Sequence, residues 1–591
     1  MSPQQNAAKR SFLSGSGHTR RWFLQAAGST AALQAMGWSP TFRIGPTSDR
    51  VTLPAPPAFP SGIPFYQQLY RNWSGETVIQ DVWTAAPGTA QEVADLANWA
   101  LEHGWRIRPK GMGHGWSPLL LPQGETGNGY LLVDTTRTLT ALSICRTSTP
   151  ATVTAQTGIA LETLLQALGE VGLGFTTTPA VGNVTLGGLL AVNGHGAAIQ
   201  ARGEAWVPGM TFGSLSNAVL SLTAVVWDPA AGRYHLRTFQ RNDPGIAPLL
   251  VHVGRAFLTE ATLQVVPDRP LRCRSYVDLS AAELFAAPAA AGAHAFQNWV
   301  LEHGRAEAIW FPFAREPWLK VWTVAPEKPW SARRVWEPYA YDFANWMTPA
   351  QSDFVDQMLA GNLACTPAFQ VLEMVAVITG LGASGTWDIW GPSRCSTLYV
   401  KPTTLRLAEN GYAVLTQRRN IQKVVHEFYR FFRGLVARYQ AQGQYPMNGP
   451  VEIRVTGLDR PEDVERPGAV TPQLSALRPR PDRPEWDCAV WLDALTFPGT
   501  PGAQAFYTEL EAWMLGNYDG ESAGVRVEWS KGWGYTAQGP WTSPELIPGG
   551  IARSHSLGQT AGEDWAAAMA ALAALDPHRI FSNPFLDRLM G

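Results

Sequence analysis

Two glycine-rich loops constrain this 591-residue chain more than any other feature. The first occupies residues 105–118 and reads Trp-Arg-Ile-Arg-Pro-Lys-Gly-Met-Gly-His-Gly-Trp-Ser-Pro. Glycines at 111, 113 and 115 remove every other Cβ. The backbone there can take unusual φ/ψ angles and bring its N–H groups close to an anionic ligand. His114, at the centre of the loop, is thereby placed beside that ligand. The apolar spacing over residues 89–103 predicts a helix, with Thr89 as N-cap and Glu92 in the first turn. Arg106-Ile107-Arg108 then predicts a short strand leading into the loop. The second loop runs over residues 176–188, Thr-Thr-Thr-Pro-Ala-Val-Gly-Asn-Val-Thr-Leu-Gly-Gly, and continues to Asn193-Gly194-His195-Gly196.

At this spacing the two loops together resemble the FAD-binding domain of the vanillyl-alcohol oxidase family. The resemblance implies an α+β, two-domain fold in which a substrate-binding domain is built on a large antiparallel sheet. It also implies FAD as cofactor. In that family the first loop wraps the pyrophosphate and presents a histidine that often carries the flavin covalently. The expected contacts are Lys110, Gly111, Met112, Gly113, His114, Gly115, Trp116 and Ser117, with His114 as the attachment point. The second loop lies along the cofactor before a short helix, which adds Pro179, Gly182, Asn183, Thr185, Gly187, Gly188, Asn193, Gly194 and His195. Residues 253–267 look like the closing strand of the same domain.

The chain is longer than single cores usually grow, so two domains are the default expectation. We expect a signal peptide and linker over 1–50, an FAD-binding domain over 51–270 and a substrate-binding domain over 271–545. Residues 546–591 form a C-terminal segment returning to the FAD domain. A net charge of −2, a charged fraction of 16% and no basic stripe exclude nucleic acid as a partner. No apolar run after the N-terminus is read as long enough to span a bilayer. The 25 Trp, with 23 Phe and 15 Tyr, imply large apolar surfaces with polar edges and would suit a big hydrophobic ligand.

Five scattered cysteines (145, 273, 365, 395, 488) form no CxxC pair, so neither a metal site nor a disulfide framework is indicated. Such a chain folds in a reducing compartment. That agrees with its N-terminus, where Arg20-Arg21-Trp22-Phe23-Leu24 precedes an Ala-rich stretch, as in a twin-arginine export signal. This route carries folded proteins and predicts a periplasmic or extracellular location.

Further along, residues 221–227 and 234–239 predict a hairpin closed by Asp228-Pro229-Ala230-Ala231-Gly232, and 421–440 one long amphipathic helix. Gly380-Leu381-Gly382-Ala383-Ser384-Gly385 satisfies G-x-G-x-x-G. No helix-forming stretch follows it, however, and no acid stands about 20 residues on, so a nicotinamide site is rejected. Near the end an Ala-rich helix over 564–575 leads into residues 576–585. This ending resembles a family segment that brings an asparagine near the flavin ring, at the position of Asn583.

The chemistry is concentrated in Gly449-Pro450-Val451-Glu452-Ile453-Arg454-Val455. Strand residues two apart share a face, so Glu452 and Arg454 point together while the valines and isoleucine point the other way. In isolation the pair reads as a surface ion pair of little worth. Aldonolactone and polyol oxidases of the resembled family carry a Glu-x-Arg on a sheet strand facing the flavin, and type II cholesterol oxidases have a similar pair. Alcohol oxidation needs a base for the hydroxyl proton, a role open to Glu452. It also gains from a cation against developing negative charge, a role open to Arg454. By resemblance Lys531, in Trp529-Ser530-Lys531, approaches flavin or substrate. Glu307 matches a cavity-gating glutamate, with Glu302 left as an alternative.

The whole is read as a secreted FAD-dependent oxidase that converts 3β-hydroxysterols to conjugated enones and reduces O2 to H2O2. Its partners would be the sterol, O2 and, in passing, a membrane surface. An aldonolactone or polyol oxidase and a non-catalytic flavin-binding protein are the alternatives, and the oligomeric state is left open.

Overall fold

The computed structural model describes residues 53–345 and 349–591. The twin-arginine reading, over residues 1–50, lies outside the described residues. The helix expected before the first glycine loop is Ala90–His103. Thr89 caps it by accepting the Glu92 N–H, and Gly104 ends it in the left-handed region at φ 68°. Its buried face, Val93, Leu96, Ala97 and Ala100, packs on Ile107, Leu131 and Val133 of a four-stranded sheet. That sheet runs Phe65–Arg71, Val78–Ala85, Tyr130–Asp134, Arg106–Lys110, with the first pairing antiparallel and the other two parallel. The first glycine loop leaves the end of the Arg106–Lys110 strand.

A second, six-stranded sheet contains the expected hairpin, Val219–Asp228 with Arg233–Gln240, paired through Asp228 and Arg233 at the turn. Its strand Phe257–Pro267 is followed after three residues by Leu271–Tyr276, which belongs to the third sheet. This last sheet has nine strands. In spatial order they are Arg333–Arg334, Asp388–Gly391, Leu271–Tyr276, Trp318–Val324, Arg305–Trp310, Val451–Gly457, Cys488–Thr496, Ala408–Thr416 and Gly524–Val527. All neighbours are antiparallel except the first pair.

One face of the nine-stranded sheet is apolar. Val451, Ile453 and Val455 join Val424, Phe428 and Phe432 of helix Ile421–Ala441 in a core cluster that reaches as far as Met590. The opposite face is therefore the one left for charge. The C-terminal segment packs on the first two sheets: Ile107 donates its N–H to the Ile580 carbonyl, and Asp576 accepts from Tyr234 and Arg255.

One sequence reading is sharpened by the structure and one changes. The apolar residues before Gly380 belong to helix Thr366–Ser384, and Gly385 is its left-handed C-cap, so the glycine pattern closes a helix and opens none. The same helix lies in Leu363–Ser384, 22 residues with mean hydropathy 1.5, which is long and apolar enough to cross a membrane by length and composition. This corrects the expectation that no such segment follows the N-terminus. Glu373 is the one charge within it, and Phe369, Met374, Val377 and Leu381 face the fold.

Candidate active site

The two glycine loops meet at Gly111, where an added Cβ would stand 2.4 Å from Thr185 Oγ1. That hydroxyl is already committed, accepting the Gly188 N–H at 3.2 Å as N-cap of helix Leu186–Ala191. The loops enclose a cavity of about 360 Å3. Lys110, Gly111, Met112, Gly113, His114, Gly115, Trp116 and Ser117 line it, opposite Pro179, Thr185, Gly187, Gly188, Asn193, Gly194 and His195.

Three expected contacts lie elsewhere. Gly182 packs under Glu162 and Leu398, where a Cβ would stand 2.9 Å from the Glu162 Cβ, and its carbonyl accepts the Glu162 N–H. Asn183 beside it is likewise off the cavity wall. Asn583 is buried: its amide donates to the carbonyls of Pro118, Leu119 and Leu120, and its oxygen caps helix Pro584–Met590. It braces the far side of the first loop, a structural role that commits its amide N–H groups. Asn193 lines the cavity, at φ 65°, but its side chain turns away to Asp459, Ser475 and Ala476.

His114 packs against Trp73 with ring centroids 3.7 Å apart and the planes tilted by 32°, and the Arg406 guanidinium lies 4.8 Å from the same Trp73 ring. Burial, reinforced by Lys531 and Arg406, pushes its imidazole down to about 3, so the ring is neutral at ordinary pH. The cavity also holds polar atoms with no protein partner: His252 Nε2, Arg454 Nε and Glu528 Oε2 are buried and unpaired. Buried polar groups are normally satisfied, so these are the groups a large polar ligand would complete. Closely approached glycines and a neutral histidine on the cavity wall fit FAD.

At the other end of the cavity, sheet register assembles a charged cluster. Antiparallel partners directly opposite one another share a face. One row across adjacent strands is therefore Lys320, Glu307, Arg454, Trp491, and the next is Ile309, Glu452, Asp493, Gly411. Glu307 is fully buried and takes both oxygens' contacts from the Tyr399 hydroxyl, at 2.7 and 2.6 Å, with Lys320 Nζ at 3.5 Å. Glu302 is exposed at the end of helix Phe296–His303, whereas Glu307 is buried in the charged cluster 4.0 Å from Arg454, behind the cavity wall.

Arg454 touches Asp493 and lies 3.6 Å from Glu452 and 4.0 Å from Glu307. Lys531 Nζ pairs with Glu409 at 2.5 Å and sits 4.0 Å from the Trp116 ring centroid. Burial would lower this ammonium, but Glu409, then Glu528 and Asp493, outweigh it and hold the group above its usual range. Burial pushes Glu452 up to about 7, with Arg454 opposing and Glu307 adding to the rise. A carboxyl so placed can accept a proton near neutral pH. His195 lies flat on Trp491, centroids 3.6 Å apart, with Nε2 at 3.6 Å from Glu528.

Sequence reasoning missed Asp493, Glu409, Glu528, Lys320 and Tyr399. For Asp493 a signal existed: it is the lone acid in the otherwise apolar run Cys488–Thr496.

Residues 270–591, more than half the chain, match the family described as cholesterol oxidase, substrate-binding. The chain belongs to the cholesterol oxidase family. Residues 83–212 match the FAD binding domain family. The structure of a solvent-stable cholesterol oxidase is 52% identical with a TM-score of 0.89, covering 91% of this chain and all of that one. Cholesterol oxidase from Brevibacterium sterolicum is 44% identical at the same TM-score, over 92% of this chain and all of that one. A D-lactate dehydrogenase of Archaeoglobus fulgidus is 29% identical over 186 residues; the match spans 31% of this chain and 38% of that relative's length. Membership makes the chain an FAD-dependent alcohol oxidase of α+β fold, as the loops and the nine-stranded sheet imply.

The tryptophan content carries less of the hydrophobic-ligand reading than the sequence suggested. Among the described residues, Trp73 and Trp116 are the tryptophans that line the large cavity, whereas Trp310, Trp491, Trp529 and Trp533 are fully buried in the core. Gly411 matters more. A Cβ there would stand 2.5 Å from Asp493 Oδ1 and 2.9 Å from Lys531 Cγ. Gly411→Ala is expected to destabilise the protein by about 1–3 kcal/mol through overpacking. It should lower the melting temperature and turnover together, and an unchanged melting curve with full turnover would contradict this packing.

Proposed function

We propose that the protein is an exported oxidase of 3β-hydroxysterols. It would use O2 as electron acceptor, release H2O2 and isomerise the product to the conjugated 4-en-3-one. The observation that carries this reading is Glu452 beside Arg454 on the cavity wall, in a chain of the cholesterol oxidase family. FAD held between the glycine loops would supply the two-electron acceptor for oxidation of the sterol carbinol carbon.

Glu452 accepts the hydroxyl proton as that carbon is oxidised. Arg454 stabilises the negative charge developing on the sterol oxygen. Once the hydroxyl proton has left Glu452 to be taken up in forming H2O2, the freed carboxylate takes a proton from C4 of a Δ5 product and returns it to C6, which needs one carboxylate able to gain and lose a proton in turn. Leu405, Leu407, Val400 and Leu495 give that proton path an apolar wall. Such a wall suits a sterol better than a sugar, whose hydroxyls would call for more converging polar groups.

Three finer points belong to the same reading. His114 is the proposed site of covalent flavin attachment, supported by its neutral ring and its place in the loop. Export by the twin-arginine route is supported by Arg20-Arg21 before the Ala-rich stretch. Transient contact with a membrane surface is supported by Trp330 and Trp336, which are 94% and 65% exposed beside Arg333 and Arg334. Tryptophan suits the headgroup level of a bilayer.

Activity should depend on pH through Glu452. The base must be ionised, so kcat/KM should be full above about 7 and fall as pH drops through that value, as measured by initial rates across the range. A flat profile from about pH 5 to 9 would remove Glu452 as the titrating base. The substrate class is tested by peroxide release with cholesterol, a sugar lactone and a polyol. Release with cholesterol is expected, and release with the lactone or polyol alone would overturn the sterol assignment.

A further inference from the structure

The charged cluster pairs off unevenly. Lys320 Nζ is 3.5 Å from Glu307, Lys531 Nζ is 2.5 Å from Glu409, and His195 Nε2 is 3.6 Å from Glu528. Arg454 has three carboxylates around it. Its Nη2 touches Asp493, with Glu452 at 3.6 Å from the same nitrogen and Glu307 at 4.0 Å from Nη1. Among the described residues of the cluster, Glu452 is then the carboxyl left without a basic side chain of its own.

The sheet builds this imbalance. Asp493 stands directly opposite Glu452 across the Val451–Gly457 and Cys488–Thr496 pairing, so the two carboxyls compete for one guanidinium edge. The next strand presents Gly411 at the same level, and any Cβ there would collide with Asp493 Oδ1. Asp493 is fully buried and does not line the large cavity, whereas Glu452 does. A buried charge needs a partner in contact, and Asp493 has Arg454 for that purpose.

We propose that Asp493 is a positioning residue for the oxidation: as the dedicated counter-ion of Arg454, it draws the guanidinium away from Glu452 and leaves that carboxyl free to work as a base. The proposal rests on the reading of Glu452 as the base. Burial drives the Asp493 carboxyl upward and the guanidinium opposes it; direct contact favours the ionised pair, and Arg454 is held well above its ordinary range by Asp493 first, then Glu452 and Glu307. Besides these, the titratable or charged groups facing Glu452 are Glu409 from Ala408–Thr416, Lys320 from Trp318–Val324, and Tyr399 and Lys531 from the connecting segments, while Glu528 faces Arg454.

The test is Asp493→Asn in the flavin-loaded enzyme, which keeps the side-chain shape and one acceptor but removes the charge. Arg454 should turn to Glu452 and stabilise its ionised form. The acid limb of kcat/KM should move down by about one pH unit or more, and the rate above the limb should fall because the base is weaker. The same downward shift should appear without turnover, in the protonated-carboxyl infrared band assigned to Glu452 by subtracting the Glu452→Gln spectrum.

A limb and a band that stay at their wild-type positions would overturn the proposal. Should Asp493→Asn not fold, Asp493→Ser leaves room for water in place of the charge and should shift the limb and band in the same direction. The two levels of the account fail differently. Wild-type turnover in Glu452→Gln would remove the base, whereas loss of turnover there with no shift in the Asp493 variants would remove the pairing alone.

Discussion

Glu452→Gln is expected to lower kcat for sterol oxidation by about 10²-fold or more, with flavin still bound. The amide matches the carboxyl in size, so the cavity wall keeps its shape, and Arg454 keeps its contact with Asp493. What is lost is the acceptor for the hydroxyl proton and the carrier that moves a proton between C4 and C6. Oxidation and isomerisation should therefore fall together, and the acid limb near pH 7 should disappear from whatever rate remains. Stopped-flow reduction at several pH values reads both effects. Flavin reduction at the wild-type rate would assign the proton to another group and leave Glu452 as a charge on the wall.

His114→Ala is expected to turn a fixed flavin into a removable one. Acid precipitation of the wild-type protein should leave yellow colour in the pellet, while the variant should release it to the supernatant. His114 packs against Trp73 and lies in a loop that meets Thr185 at Gly111, so the deletion removes one ring without opening the loop. The variant should still bind FAD and turn over more slowly. Wild-type colour that washes into the supernatant would show that the flavin is held without a bond to His114.

Much of the scaffold was legible because its signals are local. Thr89 and Gly104 bracket the first helix by side-chain capping and left-handed geometry, and the 219–240 hairpin closes where an Asp-Pro-Ala-Ala-Gly turn predicts it. The Glu-x-Arg strand also needed only the two-residue period of a sheet. What could not be read is set by register between distant segments. Asp493 meets Arg454 across 39 residues, Tyr399 meets Glu307 across 92, and Glu409 and Lys531 join through separate strands and loops. The choice between Glu307 and Glu302 was likewise one of burial, since one ends in the sheet and the other on an exposed helix end.

The misplaced residues follow the same logic. Asn583 stands where an asparagine near the ring was expected, but an Asn before Pro584 is also a strong helix cap, and the local role prevailed. Gly182 and Asn183 lie in the second loop at a point where it packs against Glu162, one step away from the cavity.

The central claim, that this cavity oxidises a sterol, is tested most directly by mixing the purified protein with cholesterol without air and following the absorbance of oxidised flavin. The account predicts bleaching that is reversed when air is admitted, with peroxide formed in proportion. Flavin that stays oxidised with cholesterol but bleaches with a sugar lactone or polyol would contradict the substrate, and flavin that bleaches with none of them would contradict catalysis at this site.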